Sequence, residues 1–265
     1  MTAAAHVASS DHRLSFKKTE AAGFDLMAAQ HLPDGQIQDI YPPLLNRAQS
    51  GDLEAKRLLF LVLNQCHTIA KFDEASVDPK NIIDPQLPDT EENKPYRGEA
   101  RAKLLADFES RALLSAENTL RQCEQLPKGA IGDAARWLTE AAEGGDIYAQ
   151  LAFGSYIDLV VGAPQEQLKN PEKVRKFNTD TMKYLQGLAA RRIPDALYSL
   201  SGIYESGIIT KKDMVRAYAY KTAYDNIAPI NANPRALQTM SKDMTSEQIS
   251  EAKALAQSLL ARRTP

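Results

Sequence analysis

Histidine, cysteine and tryptophan are scarce in this 265-residue chain, with four, two and one respectively. The histidines are His6, His12, His31 and His67, and no two stand four apart beside a carboxylate. That spacing excludes the familiar helical zinc sites, and no other metal or cofactor is expected. Cys66 and His67 are neighbours, but adjacent residues on a helix point about 100° apart, so they do not make a thiolate–imidazole pair. Long apolar runs are also missing. The longest, Leu58 to Leu63, is far short of a membrane span. Neither sign of charge dominates: 32 Lys and Arg face 34 Asp and Glu, for a net charge of −2 and a pI near 6.1. A nucleic-acid partner would call for a basic stripe, which this balance excludes. No G-x-S-x-G, P-loop or G-x-G-x-x-G occurs, and the acidic residues are spread along solvated helix faces. The chain is therefore expected to be no enzyme.

What is present is periodic. Ala134, Trp137, Leu138, Ala141 and Ala142 mark one face of a helix, and Ala149, Ala152, Phe153, Tyr156, Ile157 and Val160 mark a second. Between them stands Gly144-Gly145-Asp146. The glycines suit a left-handed helix end and the aspartate suits the N-cap of the next helix. Two amphipathic helices joined so tightly form an antiparallel hairpin.

The pattern recurs at a fixed spacing. Gly51-Asp52 and Ala55 stand 94 residues before Gly145-Asp146 and Ala149. Leu44 and Ala48 match Leu138 and Ala142, and Ala55, Leu58, Leu59, Val62, Leu63 and Cys66 continue in register. Moving 47 residues forward, Tyr184, Leu185, Leu188 and Ala189 replace Trp137, Leu138, Ala141 and Ala142. Ala196, Leu200, Ile203 and Tyr204 follow, with Arg192-Ile193-Pro194 at the turn, and a partial fourth copy begins at Met214. Hairpins that cannot bury their faces alone must stack, so the expected fold is all-α, an α-solenoid of antiparallel helix hairpins.

The residues Trp137, Leu138, Ala141, Ala142, Ala149, Gly154 and Tyr156, then Tyr184, Leu185, Ala189, Ala196, Leu200, Tyr204 and Gly207, resemble the Sel-one-like repeat family, a relative of the tetratricopeptide repeat. The resemblance covers about 134–226 well and 41–66 loosely. Phe153 replaces the usual leucine, Ser201 the usual glycine, and Arg192 the turn glycine. It implies a protein-binding scaffold and supplies no catalytic residue.

Residues 1–19 are expected to form a loose N-terminal segment, and 20–130 a helical region with the degenerate repeat and an acidic loop. Residues 131–265 would hold the better repeats and a C-terminal capping helix. That helix follows a Thr245–Gln248 capping box and ends at Arg262-Arg263. A long helix ending at Cys123 should align Leu105, Phe108, Ala112, Ala116 and Leu120 on one side.

A proline-rich acidic stretch lies between Cys66 and Cys123. Fastening so long a loop favours a Cys66–Cys123 disulfide, the alternative being two buried free thiols. A disulfide implies an oxidising compartment. The N-terminus has no apolar signal core, which leaves a cytoplasmic protein or an exported one whose signal has been removed. Proteins with the repeat it resembles are often exported from bacteria, and the expectation is the periplasm.

Partner-binding candidates are Tyr148, Tyr198, Tyr218 and Tyr224, with Arg191 and Arg192. The tyrosines do not all fit the core stripe, and Tyr and Arg give contact area at low entropy cost. The partner would be another protein, either a secreted antibacterial effector or an envelope assembly component. The repeats resemble those of some immunity proteins, which occlude a toxin. The alternative readings are a cell-wall-related enzyme or peptidoglycan-binding protein, and a cytoplasmic signalling adaptor.

Overall fold

The computed structural model describes residues 24–71 and 97–261. Every regular element among them is a helix, so the fold class is all-α. The expected loose segment 1–19, the acidic stretch 72–95 and Arg262-Arg263 lie outside the described residues. Two compact units divide the chain. One takes in Pro33–Pro43 and Leu61–Ala134, and the other takes in the segment ending at Leu32, Leu44–Phe60 and Ala135–Pro265. The stretch from Leu44 to Phe60, which carries the first copy of the repeated turn, thus groups with the later copies.

After a single helical turn, α1 (Leu26–Ala29), come α2 (Ile37–Gln49) and α3 (Leu53–Ile69). Helix α2 begins before the expected residue 41 and carries Pro42 and Pro43 in its interior. Both prolines are exposed, so the carbonyls they leave without a helical partner face water. In the first unit α4 (Glu99–Cys123) packs with the ends of these helices. Gln122 Oε1 accepts from the Ile37 N–H at 3.0 Å, tying the end of α4 to the start of α2. Cys66 and Cys123 are at disulfide distance, with Cα atoms 5.6 Å apart, and both are buried. Of the stripe expected on α4, Ala112 and Ala116 are buried and Leu105 and Phe108 half-buried, but Leu120 is exposed. The helix turns Leu120 outward where Cys123 and Gln122 turn in.

The second unit holds α5 (Ala134–Gly144), α6 (Ile147–Ala152), α7 (Ile157–Val160), α8 (Pro164–Lys169) and α9 (Pro171–Ala190). It continues with α10 (Pro194–Ser206), α11 (Met214–Ile227), α12 (Pro234–Met240) and α13 (Ser246–Ala261). Its repeated turn has one backbone pattern at three places. The Gly51 N–H donates to Ala48 O and the Asp52 N–H to Arg47 O, both at 3.1 Å. Gly145 and Asp146 donate to Ala142 and Ala141 in the same way, as do Arg192 and Ile193 to Ala189 and Leu188. This double bond is the Schellman closure of a helix, which needs a left-handed residue at its corner. Gly51 has φ 98°, Gly145 φ 96° and Arg192 φ 60°. Of the glycine pair, only Gly145 is left-handed; Gly144 ends the helix itself.

The next helix starts alike in the first two copies. The Ala55 N–H donates to Asp52 Oδ1 at 3.1 Å and the Ala149 N–H to Asp146 Oδ1 at 2.8 Å. In the third copy Ile193 offers no side-chain cap, and Pro194 occupies the first helical position, where a missing N–H costs nothing. The matched apolar positions are buried in every copy: Leu44, Leu138 and Leu185, then Ala48, Ala142 and Ala189, then Ala55, Ala149 and Ala196.

Arg192 is the one described non-glycine residue with positive φ. Its guanidinium donates to the Leu260 carbonyl near the end of α13, a contact that holds the strained corner. Replacing it by alanine or by glycine removes that contact equally, so the two variants differ only in backbone strain. Arg192→Gly is expected to be more stable than Arg192→Ala by about 1 kcal/mol in urea unfolding.

Ion pairs and ring contacts join these segments. Lys56 and Arg57 of the first pair with Glu140 and Asp146 of the second, each at 2.8 Å. The Arg57–Asp146 pair is largely shielded, with side chains 14% and 7% exposed. Phe153 stacks on Phe177 and meets Tyr184 edge-on, at centroid distances of 4.9 and 5.3 Å. Phe153 thus holds the centre of an aromatic cluster. Helix α9 packs on α6 and α10, α10 on α11, and α11 on α13. The Ser201 hydroxyl donates to Ala217 O at 2.9 Å, bonding α10 to α11.

The second helix of the middle copy is shorter than expected. A 3₁₀ turn, Phe153–Ser155, separates α6 from α7 and leaves Ile157 and Val160 half-buried. Two further short helices, α8 and α12, are each begun by a proline at its first position. The final helix matches expectation. The Gln248 N–H donates to Thr245 Oγ1 at 3.2 Å and the Thr245 N–H to Gln248 Oε1 at 2.9 Å, closing the capping box. Ala252 and Ala256 of that helix are buried.

Candidate interaction surface

The expected anchors separate by burial. Trp137, Tyr184 and Tyr204 are buried. Tyr148, Tyr218 and Tyr224, expected as half-exposed contact residues, are buried as well, at 6%, 9% and 3% exposure. This corrects their reading as surface anchors: each lies on a helix covered on a second side, and little of the ring is left to touch a partner. Tyr198 is 36% exposed. Arg191 caps the end of α9 and is exposed, while Arg192 is held by the Leu260 carbonyl.

The structure brings Tyr198 and Tyr224 together. They lie on α10 and α11, ring centroids 5.3 Å apart and planes tilted by 57°. Lys221 Nζ lies 5.3 Å from the Tyr224 ring centre and pairs with the Asp225 carboxylate, four residues on. Lys221 and Asp225 are almost fully shielded. Burial, then the negative charges of Asp195 and Asp225 and the neighbouring Tyr198, push the Tyr224 hydroxyl up to about 12, and a hydrogen bond with the Asn231 side chain acts the other way. Tyr224 is therefore a neutral donor at physiological pH.

Asp195, which the sequence did not single out, completes the group. It stands in the first turn of α10, where a carboxylate suits the helix dipole. Burial nevertheless raises its carboxyl above the ordinary aspartate range. Its Oδ1 is shielded and has no hydrogen-bond partner. The sign of the pH effect follows. An acid whose folded pKa is raised costs stability when ionised, and that cost disappears as pH falls through the raised value toward that of the unfolded chain. Asp195→Asn is expected to be more stable than the parent at pH 7, with the advantage shrinking by pH 4, in urea titrations at both pH values.

A second feature lies along α9. Arg175, Thr179, Lys183 and Gln186 line an open depression with Ile209 and Thr210. Arg175 is paired with Glu172. Gln186 Nε2 and Arg216 Nη1 both donate to the Tyr204 hydroxyl, at 3.4 and 3.2 Å, and Arg216 lies over the Tyr204 ring. These groups satisfy one another. Among the described residues no group of three or more His, Cys, Asp or Glu is placed to hold a metal ion, and no helix is long and apolar enough to cross a membrane.

The class these features define is an all-α protein of helical hairpins with a shielded polar cluster beside an exposed tyrosine. Comparison with protein-family models, curated proteins and solved structures gives no match.

Proposed function

We propose that this chain is a non-enzymatic protein-binding scaffold of the bacterial envelope, an α-solenoid of Sel-one-like hairpins. Its partner is another protein, a secreted antibacterial effector that it occludes as an immunity protein or an envelope assembly component. The observation that carries this reading is the same Schellman turn at three places 47 residues or a multiple apart, followed each time by a buried alanine. Hairpins that share a turn, a buried leucine and a buried alanine are what a stack of repeats requires, and such stacks work by presenting side chains from rigid helices. The disulfide-distance pair Cys66–Cys123 supports an oxidising compartment, here the periplasm.

Two measurements test this. Thiol titration of the protein unfolded without reductant should find no free thiol; two free thiols would remove the argument for export. Affinity capture from envelope fractions with the oxidised protein should retain one protein in stoichiometric amount, with Tyr198→Ala weakening capture. Turnover of peptidoglycan fragments, with no protein retained, would contradict the scaffold reading.

A further inference from the structure

The depression along α9 is short of negative charge. Arg175 and Lys183 are its two charged side chains, and no carboxylate lines it among the described residues. They stand eight residues apart, two steps of four, so they share one side of α9 and lie about 12 Å apart along its axis. Asp180, three residues before Lys183, is taken by Lys176. Lys183 is exposed and makes no hydrogen bond or ion pair among the described residues. Arg175 has Glu172, but both side chains are open, at 70% and 78% exposure, so that pair is worth little and gives way easily.

Between the two cations the lining is uncharged. Met182 and Ile209 are half-buried and apolar, and Asn178 and Thr210 are half-buried and polar. Neither Asn178 nor Thr210 makes a side-chain hydrogen bond among the described residues, so an amide and a hydroxyl stand free to donate and accept. The wall that carries Ile209 and Thr210 is fixed at both ends. It leaves α10 through the left-handed Gly207, where a Cβ would meet Lys212 Cβ at 3.0 Å, and it closes with the Asp213 N–H donating to Tyr204 O at 2.9 Å. The groove is therefore preformed, and little ordering is left for a ligand to impose.

We infer that this groove receives an extended acidic segment of the protein partner, with two carboxylates four residues apart. This deepens the protein-binding reading and rests on it. An extended chain rises about 3.3 Å per residue and turns alternate side chains the same way, so carboxylates at i and i+4 lie about 13 Å apart on one side. That separation matches Arg175 and Lys183. Each carboxylate meets one cation, with Arg175 exchanging Glu172 for it, and Asn178 and Thr210 take backbone groups of the chain between. The residue midway faces the groove as well and is apolar, against Met182 and Ile209.

The test uses the acetylated, amidated peptide Glu-Thr-Val-Thr-Glu and its neutral counterpart Gln-Thr-Val-Thr-Gln, titrated into the oxidised full chain by NMR. The acidic peptide should give saturable shifts at residues 175–186 and 209–210, and the neutral one should bind about tenfold more weakly. Lys183→Gln should weaken the acidic peptide several-fold and leave the neutral one unchanged, while melting as the parent does. Raising the salt from about 0.05 to about 0.5 M should weaken the acidic peptide alone. Equal binding of the two peptides, an unchanged acidic-peptide affinity in Lys183→Gln, or displacement of the peptide by an equal concentration of inorganic phosphate would overturn the site. The probe needs no partner protein, so the two readings fail separately. A captured protein held as tightly by Lys183→Gln as by the parent would leave the scaffold and overturn the groove. Acidic-peptide binding in the groove with no protein captured would do the reverse.

Discussion

Replacing Cys66 and Cys123 together by alanine is expected to lower the unfolding free energy of their unit by about 4 kcal/mol. The two residues are 57 apart in sequence, so the bond closes a long loop and removes much of the freedom of the unfolded chain. Neither sulfur is exposed, since Cys66 is 0% and Cys123 5% accessible, so reductant has to wait for local opening. The bond joins the end of α3 to the end of α4, close to the Gln122–Ile37 hydrogen bond. Losing it frees both helix ends at once. In urea unfolding followed by circular dichroism, the oxidised parent should unfold at clearly higher denaturant than the double variant. Parent treated with dithiothreitol should approach the variant. Coincident curves for all three would show that the bond does not form.

Leu138→Ala and Leu185→Ala are each expected to cost about 3 kcal/mol, within the range for truncating a fully buried leucine. The residues are 0% and 2% exposed and occupy the same place in two hairpins, four residues before a buried alanine. If the hairpins are copies of one unit, truncation leaves the same cavity against the same kind of neighbour, and the two losses should agree closely. Leu44→Ala, at the matching place of the first copy, should behave alike. Leu168 is 85% exposed on α8, and its truncation should change stability by less than about 0.5 kcal/mol. Thermal melts of the four variants settle the comparison. A Leu138 loss like that of Leu168 would remove the packing on which the repeat depends.

How much of this was legible in the sequence varied with the kind of signal. Apolar residues at helical spacing were legible, because one buried face per helix dictates it; Leu44, Leu138 and Leu185 all lie where the stripe put them. The Gly51 and Gly145 turns were legible because a left-handed corner favours glycine. Arg192 looked like a degraded turn, yet the backbone there follows the same path. A distant carbonyl, Leu260 O, holds it, and nothing local announces such a partner. Tyr148, Tyr218 and Tyr224 were misplaced because periodicity marks one face, whereas a helix between two neighbours is covered on two. Helices α8 and α12 were not legible, because proline, asparagine and alanine cluster there as they do in loops; the proline starts each helix rather than preventing it. Asp195 stayed hidden because its burial, and its charge's effect on Tyr224, arise only when different helices come together.

The proposed function claims that the open side of Tyr198 is where another protein sits. Photo-crosslinking tests this most directly, with a benzophenone amino acid at position 198 and, as control, at the more exposed position 168, in the cells that make the protein. The account predicts one dominant protein adduct from position 198 and none from 168. Absence of any adduct at 198, or identical adducts from both positions, would contradict it.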